Sequence, residues 1–176
     1  MKELKDYIRT IPDYPKPGVM FRDVTTVLDD ADGLKLAIDA MQTLLDGVDF
    51  DVIAGAEARG FCFGMPLAYN MHKPFVLVRK KGKLPAETVS QKYDLEYGTA
   101  EIEIHKDSIK PGQKVVLIDD LIATGGTVEA GVKLIEKLGG KVAKCIFMID
   151  LPELGGSQKL KEAGYDVESV LSYEGE

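Results

Sequence analysis

The apolar residues of this chain fall into short runs that alternate with helical patterns. Four of the runs are rich in β-branched residues and lack the polar alternation of a half-exposed strand. Such runs are typical of strands that are buried on both faces of a sheet. The pattern therefore predicts four core strands, at residues 52–54, 75–78, 115–118 and 145–149.

Helical spacing of apolar residues appears between these runs. The predicted helices lie at residues 34–45, 61–71 and 128–138 and around Leu160. The first has Asp30 or Asp32 available as a cap, the second contains Pro66, and the third ends at Gly139-Gly140. Strands that alternate with helices predict an α/β fold with a central parallel sheet flanked by helices.

Two stretches depart from this alternation. Residues 11–27 contain three prolines and Gly18, which argue against a helix and predict an extended arm. Residues 79–98 are polar and charged, and residues 100–104 alternate as in an antiparallel hairpin. Connections in compact domains have a median of ~4–6 residues, so the long insertion predicts a lid or binding loop. We expect one domain over residues 1–176, with a small N-terminal hood at 1–30 and a flexible loop and hairpin at 79–105.

The composition is that of an ordinary globular protein. The chain has 176 residues, 45% of them hydrophobic and 29% charged, which suits a single domain. No segment approaches the ~18 consecutive apolar residues of a membrane span. A net charge of −7 argues against nucleic acid as a partner, because phosphates need a basic surface. Two cysteines without CxxC spacing, and a charged start without an apolar leader, predict a reduced, cytoplasmic protein.

The residues that carry chemistry directly follow the apolar run at 115–118. There the chain reads VVLIDDLIATGGT as far as residue 127 and continues into the third predicted helix. Gly125 and Gly126 allow the backbone to turn so that several N–H groups converge, and the helix adds the positive end of its dipole. Thr124 and Thr127 add hydroxyl donors. This combination predicts a phosphate site.

Two adjacent acids, Asp119 and Asp120, precede the phosphate site. Carboxylates would repel a phosphate, so we expect them to face a hydrogen-bond donor such as a sugar diol, or a divalent metal. A phosphate beside hydroxyl groups predicts a ribose 5-phosphate ligand. The alternative is that Gly125-Gly126 makes only a tight turn and the two acids cap it. Neither GxxxxGK[ST] nor GxGxxG occurs, which argues against nucleotide hydrolases and dinucleotide enzymes.

Five sequence blocks together resemble one known family. They are PGVMFRD at 17–23, EARGF at 57–61, RKKGKLPAET at 79–88, YDLEYG at 93–98 and the segment at 115–127. Over nearly its whole length the chain is similar to the type I phosphoribosyltransferases, and among them to those that act on adenine. The resemblance implies the fold of that family and transfer of ribose 5-phosphate from phosphoribosyl pyrophosphate to N9 of adenine. The products would be AMP and pyrophosphate, made in purine salvage. It also implies Mg²⁺ held through substrate and water, and a homodimer.

The resemblance assigns the pyrophosphate to cationic residues. Arg59 suits bidentate capture of a diphosphate, and its alternative is a surface salt bridge to Glu57. Four cations within residues 79–83 suit a polyanionic ligand, the alternative being a solvated charge run. Of these, Arg79 and Lys83 are implied to approach the pyrophosphate. The implied catalytic residues are Arg59, Lys83 and Glu96.

The resemblance also implies roles for the loop, the arm and the phosphate segment. Glu96 would act as general acid/base on closure, unless it is a loop carboxylate with no catalytic part. Tyr97 would pack over the ribose. Phe21 would stack on the base while the backbone of Met20 and Arg22 reads its edge, unless Phe21 only staples the arm to the domain. The implied ligands of the ribose 5-phosphate are Asp119, Asp120, Ala123, Thr124, Gly125, Gly126 and Thr127.

Two other functions fit the same phosphate site. A related transferase would accept hypoxanthine, guanine or xanthine in place of adenine. A regulator would sense phosphoribosyl pyrophosphate without turning it over, because a fold does not determine one function. A regulator would need an added DNA-binding domain or a basic face, and the sequence contains neither.

Overall fold

A seven-stranded sheet forms the centre of the molecule, and helices cover both of its faces. The computed structural model describes residues 2–95 and 97–174. In chain order the strands and α-helices are β1 (Arg9–Pro12), β2 (Met20–Asp23), α1 (Thr25–Leu28), α2 (Ala31–Thr43), β3 (Val52–Ala56), α3 (Arg59–Met71), β4 (Phe75–Lys80), β5 (Thr88–Leu95), β6 (Gly98–His105), β7 (Lys114–Ile122), α4 (Gly126–Lys137), β8 (Lys141–Asp150), α5 (Gly156–Glu162) and β9 (Val167–Ser172).

The large sheet has the strand order β5-β6-β4-β3-β7-β8-β9, and β1 pairs with β2 separately. From β4 to β9 along this order the strands are parallel, whereas β6 is antiparallel to both β4 and β5. The predicted α/β fold with a central parallel sheet is therefore confirmed. The apolar pattern misses β9 because Glu168 and Ser169 interrupt its apolar residues.

Three of the four predicted core strands, at residues 52–54, 115–118 and 145–149, are buried on both faces, whereas in β4 the side chain of Leu77 is exposed. Along β7, Val115 and Leu117 belong to the apolar cluster that α4 covers. Val116 and Ile118 belong to the cluster on the opposite face, with residues of α2 and α3. Alternate residues of one apolar run thus fill two different cores, which is why the run shows no polar face.

The predicted helices are also confirmed. The carboxylate of Asp30 accepts hydrogen bonds from the N–H groups of Asp32 and Gly33, so Asp30 rather than Asp32 caps α2. Helix α3 contains Pro66 within its length. In the part of the chain that the structure describes, no helix is long and apolar enough to cross a membrane.

The N-terminal arm differs in part from the expectation. Residues 11–27 are not a simple extended segment, because β1 and β2 form an antiparallel pair and α1 adds one helical turn. The expectation of no helix was wrong for α1 because every proline of the arm precedes it. The Asp23 carboxylate accepts from the Thr25 N–H at 3.0 Å and pairs with Arg9 at 2.6 Å, which starts the turn and ties it to β1.

The polar insertion forms a longer hairpin than predicted. Alternation indicated one strand at 100–104, whereas β5 pairs with β6 along its whole length, from Thr88 opposite His105 to Leu95 opposite Gly98. The apolar pattern misses β5 because most of its residues are polar and only half-buried. The flexibility of residues 79–105 and the division into hood, domain and loop stay predictions.

Candidate functional site

The two adjacent acids lie inside strand β7. The strand was expected to end at residue 118, but it continues through Ile122, where Asp119 pairs with Phe147 and Leu121 with Ile149 of β8. On its other side, the pairing with β3 stops at Gly55 opposite Ile118. Because β3 stops short of them, the two acids face the loop that follows β3. Ligands of open α/β sheets bind at such carboxyl ends of strands.

The predicted phosphate segment forms the turn between β7 and α4. Gly125 has a φ of +89° and is the N-cap of α4, so the acids do not cap this helix and that part of the alternative is wrong. A cavity of about 430 Å³ opens beside the turn. The predicted ligands that line it are Arg59, Asp119, Asp120, Ala123, Thr124, Gly125, Gly126 and Thr127.

Gly156, which the sequence patterns did not identify, packs against this turn. The N–H of Gly156, the first residue of α5, donates to the carbonyl of Ala123 at 2.9 Å. A Cβ on Gly156 would lie 2.5 Å from that carbonyl oxygen and 2.7 Å from the nitrogen of Gly125. No short sequence motif identifies Gly156 as part of the site, because 30 residues of chain separate it from Gly125.

The two acids, of which Asp120 is buried and Asp119 half-buried, have different partners. Asp119 accepts a hydrogen bond from the N–H of Asp120 at 2.8 Å. Burial, and next the charge of Asp120, raise the pKa of Asp119 well above its ordinary value. The Asp120 carboxylate accepts from Arg59 Nε at 2.5 Å. One guanidinium therefore balances part of the charge of the pair, and the site holds acceptors that suit hydroxyl donors.

Arg59 reaches the acids from the start of α3. The expected alternative, a salt bridge to Glu57, is wrong because Glu57 instead faces Arg79 at 3.4 Å and accepts from the Lys80 N–H at 2.6 Å. A second cavity, of about 390 Å³, opens beside the loop between β3 and α3. It shares with the first cavity Arg59, Tyr93, Asp119, Asp120 and Thr127. The two cavities therefore meet at the acid pair.

Comparisons with known proteins show the family of this chain. The family model of the phosphoribosyl transferase domain matches residues 24–170. The adenine phosphoribosyltransferase of Agathobacter rectalis is 69% identical over 175 residues, which cover 99% of each chain. That of Butyrivibrio fibrisolvens is 67% identical over 99% of this chain and 96% of the relative. The chain belongs to the adenine phosphoribosyltransferase family.

Solved structures of this family have the same fold. The adenine phosphoribosyltransferase of Thermoanaerobacter pseudethanolicus superposes with a TM-score of 0.92 at 52% identity, over 97% of this chain and 98% of that one. The Saccharomyces cerevisiae enzyme superposes with a TM-score of 0.88 at 35% identity, over 96% of each chain. That structure was solved in complex with D-2,5-dideoxy-2,5-imino-altritol 1,6-bisphosphate and adenine.

Several residues that the resemblance implies as ligands do not line the two joined cavities. Within the described ranges, Met20, Phe21 and Arg22 of β2 line neither cavity. Lys83 is exposed, and Tyr97 is 89% exposed at the hairpin turn. Arg79 lies beside Glu57, one residue before Lys80 of the second cavity. Glu96 lies outside the described residues. The roles of all seven residues stay predictions.

The site also contains a side chain that the sequence analysis did not identify. Tyr93 of β5 lines both joined cavities, and its hydroxyl accepts a hydrogen bond from Thr127 at 3.2 Å. Its block, YDLEYG, drew attention only to Glu96 and Tyr97. Pairing of β5 with β6 was needed to place Tyr93 against α4.

Proposed function

We propose that the two joined cavities form the active site for the adenine phosphoribosyltransferase reaction of this family. Ribose 5-phosphate passes from phosphoribosyl pyrophosphate to N9 of adenine, and AMP and pyrophosphate are the products. The observation that carries this proposal is that a glycine turn at a helix N-terminus lies next to the acid pair, in a cavity of about 430 Å³. Groups that donate hydrogen bonds to a phosphate lie beside carboxylates that accept them from hydroxyls, and this combination suits a phosphorylated sugar.

The sugar phosphate would bind along the segment from β7 to α4. Backbone N–H groups at the start of α4, with the hydroxyls of Thr124 and Thr127, would donate to the 5-phosphate. Asp119 and Asp120 would accept hydrogen bonds from the ribose hydroxyls. This arrangement fixes the sugar at both ends, which positions its C1 for attack by the base.

The pyrophosphate would lie where the two cavities meet. Arg59 has a side chain that is 52% exposed and, among the described residues, bonded only at its Nε to Asp120, so its terminal nitrogens can turn to a diphosphate. Arg79 and Lys83 would add positive charge to the leaving group as the loop closes. Closure would also keep water from the activated sugar, whose ring carbon passes through an oxocarbenium-like state.

Adenine would be read by the arm around β2. Phe21 packs edge-to-face on Tyr14 with ring centroids 5.1 Å apart. The Arg22 guanidinium stacks on the ring of Tyr173 at 4.3 Å. These contacts would restrict the arm around Met20 to Arg22, which suits recognition of a base edge by N–H and C=O groups.

Magnesium would bind at this site through the substrate and water. In residues 2–95 and 97–174, no three His, Cys, Asp or Glu side chains form a cluster that could hold a metal. Mg²⁺ commonly keeps several waters and binds substrate phosphates with one or two carboxylates. It would face Asp119 and Asp120 across the ribose hydroxyls and water. When bound, it would neutralise charge on the leaving pyrophosphate.

Exposed apolar side chains on α3 support a homodimer. Cys62, Met65 and Tyr69 form one exposed stripe of the helix, with Met65 52% and Tyr69 85% exposed. We expect light scattering to give twice the chain mass of 19.2 kDa for the wild type. Met65→Glu should lower this mass to that of the monomer, and Leu36→Glu on α2 should not. A monomeric wild type would contradict the proposal.

A reducing compartment such as the cytoplasm is consistent with the cysteines. Cys62 is exposed and free, and Cys145 is buried and free. An exposed free thiol persists where thiols are kept reduced.

A spectrophotometric assay tests the reaction directly. With Mg²⁺ and phosphoribosyl pyrophosphate, we expect AMP to form from adenine and no nucleotide to form from hypoxanthine, guanine or xanthine. Turnover of hypoxanthine without adenine would establish the related transferase instead. Binding of phosphoribosyl pyrophosphate without turnover of any purine would favour a sensor.

Glu96→Gln is expected to lower kcat by roughly 100-fold and to change the KM of either substrate by much less. Glutamine keeps the shape of the side chain but cannot exchange the proton that adenine loses, and general acid/base catalysis contributes ~10²–10⁴-fold. Steady-state kinetics measure both constants. Glu87→Gln is the matched control, because Glu87 is exposed on the same polar insertion. A kcat of Glu96→Gln equal to that of the control would leave Glu96 without a catalytic part.

A further inference from the structure

Tyr93 contacts the phosphate turn from the hairpin side. Its Cδ2 atom lies 3.2 Å from the position that a Cβ on Gly126 would occupy, so the bare backbone of Gly126 admits the ring. Its hydroxyl oxygen lies 3.2 Å from Thr127 Oγ1. The ring also packs against the apolar cluster that contains Val128 of α4. The phenol is therefore held at the first turn of α4.

The position of Tyr93 brings it to the boundary of three cavities. It lines the two joined cavities of the site, and it also lines a third, of about 380 Å³, on the side of Lys92 and Lys133. Thr124 and Gly126 line both the first and the third cavity. Tyr93 thus forms a wall of the space in front of the α4 N-terminus, where an anion is most favoured.

The chemistry of the contact leaves a proton on the phenol. The Thr127 hydroxyl donates to the Tyr93 oxygen. A phenol has one proton of its own to donate as well as acceptor capacity. The group that the α4 N-terminus favours, a phosphate, carries acceptor oxygens only.

We propose that Tyr93 donates its phenol O–H to the 5-phosphate of the substrate and is a binding residue of the phosphate site. This inference rests on the proposed function, because it assigns the 5-phosphate to the turn at residues 123–127. It adds a ligand from β5 to a site otherwise built from β7 and α4. A bound phosphate would then bridge the hairpin and the phosphate turn.

The test uses Tyr93→Phe, which keeps the ring on Gly126 and removes only the hydroxyl. We expect its Kd for ribose 5-phosphate, measured by calorimetry, to rise about tenfold, since a hydrogen bond to a charged group is lost. Its Kd for inorganic pyrophosphate should stay within about twofold of the wild type. The KM for phosphoribosyl pyrophosphate should rise with little change in kcat.

Tyr165→Phe is the matched control. Tyr165 lies at the opposite edge of the sheet, just before β9, and its hydroxyl donates to Glu136 at 2.9 Å. The control therefore loses a hydrogen bond of its own, and we expect its Kd for ribose 5-phosphate to stay at the wild-type value. Circular dichroism and thermal unfolding compare the folding of both variants.

A double variant separates a phosphate ligand from a residue that only orients Thr127. In the Thr127→Val background the bond between the two hydroxyls is absent. If Tyr93 binds the phosphate, Tyr93→Phe should still weaken ribose 5-phosphate binding in that background. Loss of the effect there would overturn the proposal, as would an unchanged Kd for the single variant or equal losses for both ligands. A wild type that binds no ribose 5-phosphate would instead overturn the proposed function itself.

Discussion

Asp119→Asn is expected to lower kcat/KM for phosphoribosyl pyrophosphate by roughly 10- to 100-fold and to raise the melting temperature at neutral pH. The kinetic loss follows because asparagine offers fewer acceptor sites and no charge to the ribose hydroxyls, and a hydrogen bond to a charged group contributes ~1.5–3 kcal/mol. The amide oxygen can still accept from the Asp120 N–H, a bond that Asp119 makes at 2.8 Å. The strand should therefore keep its shape.

The stability gain follows from the direction of the pKa shift. Burial, and next the charge of Asp120, raise the pKa of Asp119 in the folded state well above its unfolded value. The protonated Asp119 carboxyl contributes fully to stability below its pKa in the unfolded state, ~3.9. This contribution is lost as the pH rises through its pKa in the folded state. Asparagine does not titrate. The melting temperature of the variant should therefore exceed that of the wild type by an amount that grows from about pH 4 upward.

Thermal unfolding between pH 4 and 8 measures this difference. Each unit of pKa shift is ~1.4 kcal/mol, and ~1 kcal/mol moves Tm by ~2–4 °C in a chain of this size. Asp51→Asn is the kinetic control, because Asp51 accepts from the Lys114 N–H at the amino ends of β3 and β7, away from the site at their carboxyl ends. Wild-type kcat/KM in Asp119→Asn would refute the role of this acid in sugar binding.

Gly156→Ala is expected to raise the KM for phosphoribosyl pyrophosphate by more than tenfold and to leave the KM for adenine nearly unchanged. The added Cβ would lie 2.5 Å from the Ala123 oxygen, 2.7 Å from the Gly125 nitrogen and 2.8 Å from the Thr124 carbonyl carbon. All three are backbone atoms, so the methyl group can be admitted only if α5 or the phosphate turn moves. Movement of the turn misaligns the N–H groups that would bind phosphate, and a ~1 Å displacement can lower activity about 100-fold.

The matched control is Gly164→Ala at the other end of the α5 region. Gly164 has a φ of +97°, and no atom of the described residues lies within 4 Å of its would-be Cβ, so alanine there adds backbone strain without a clash. That strain is ~1–2 kcal/mol. We expect the control to unfold at a lower temperature with normal KM values. Equal KM values in the two variants would show that the contact with α5 does not shape the turn.

Local pattern was sufficient to predict most of the fold. A central parallel strand such as β7 is buried on both faces, so it appears in the sequence as an unbroken apolar run. The helices repeat apolar residues at their own period, and α2 is capped within its own first turn by Asp30. The polar strand β5 and the interrupted strand β9 lack such a pattern. Their positions depend on hydrogen bonds to neighbouring strands, which no local period encodes.

The centre of the site could also be predicted from the sequence, because its residues are close together along the chain. Asp119, Asp120 and the turn at 123–127 lie within one strand-turn-helix unit, whose geometry follows from the residues themselves. The five blocks added the family by resemblance, and the comparisons confirmed it.

Only the tertiary structure decided how distant segments complete that unit. Arg59 meets Asp120 across 61 residues of chain, and Tyr93 meets Thr127 across 34. Gly156 packs on the turn because α5 begins behind it. The sequence by itself determined the strand, the turn and the acids, since neighbouring residues build them. The order and register of the strands determined which arginine, tyrosine and glycine reach them, since those contacts depend on where separate loops meet at one edge of the sheet.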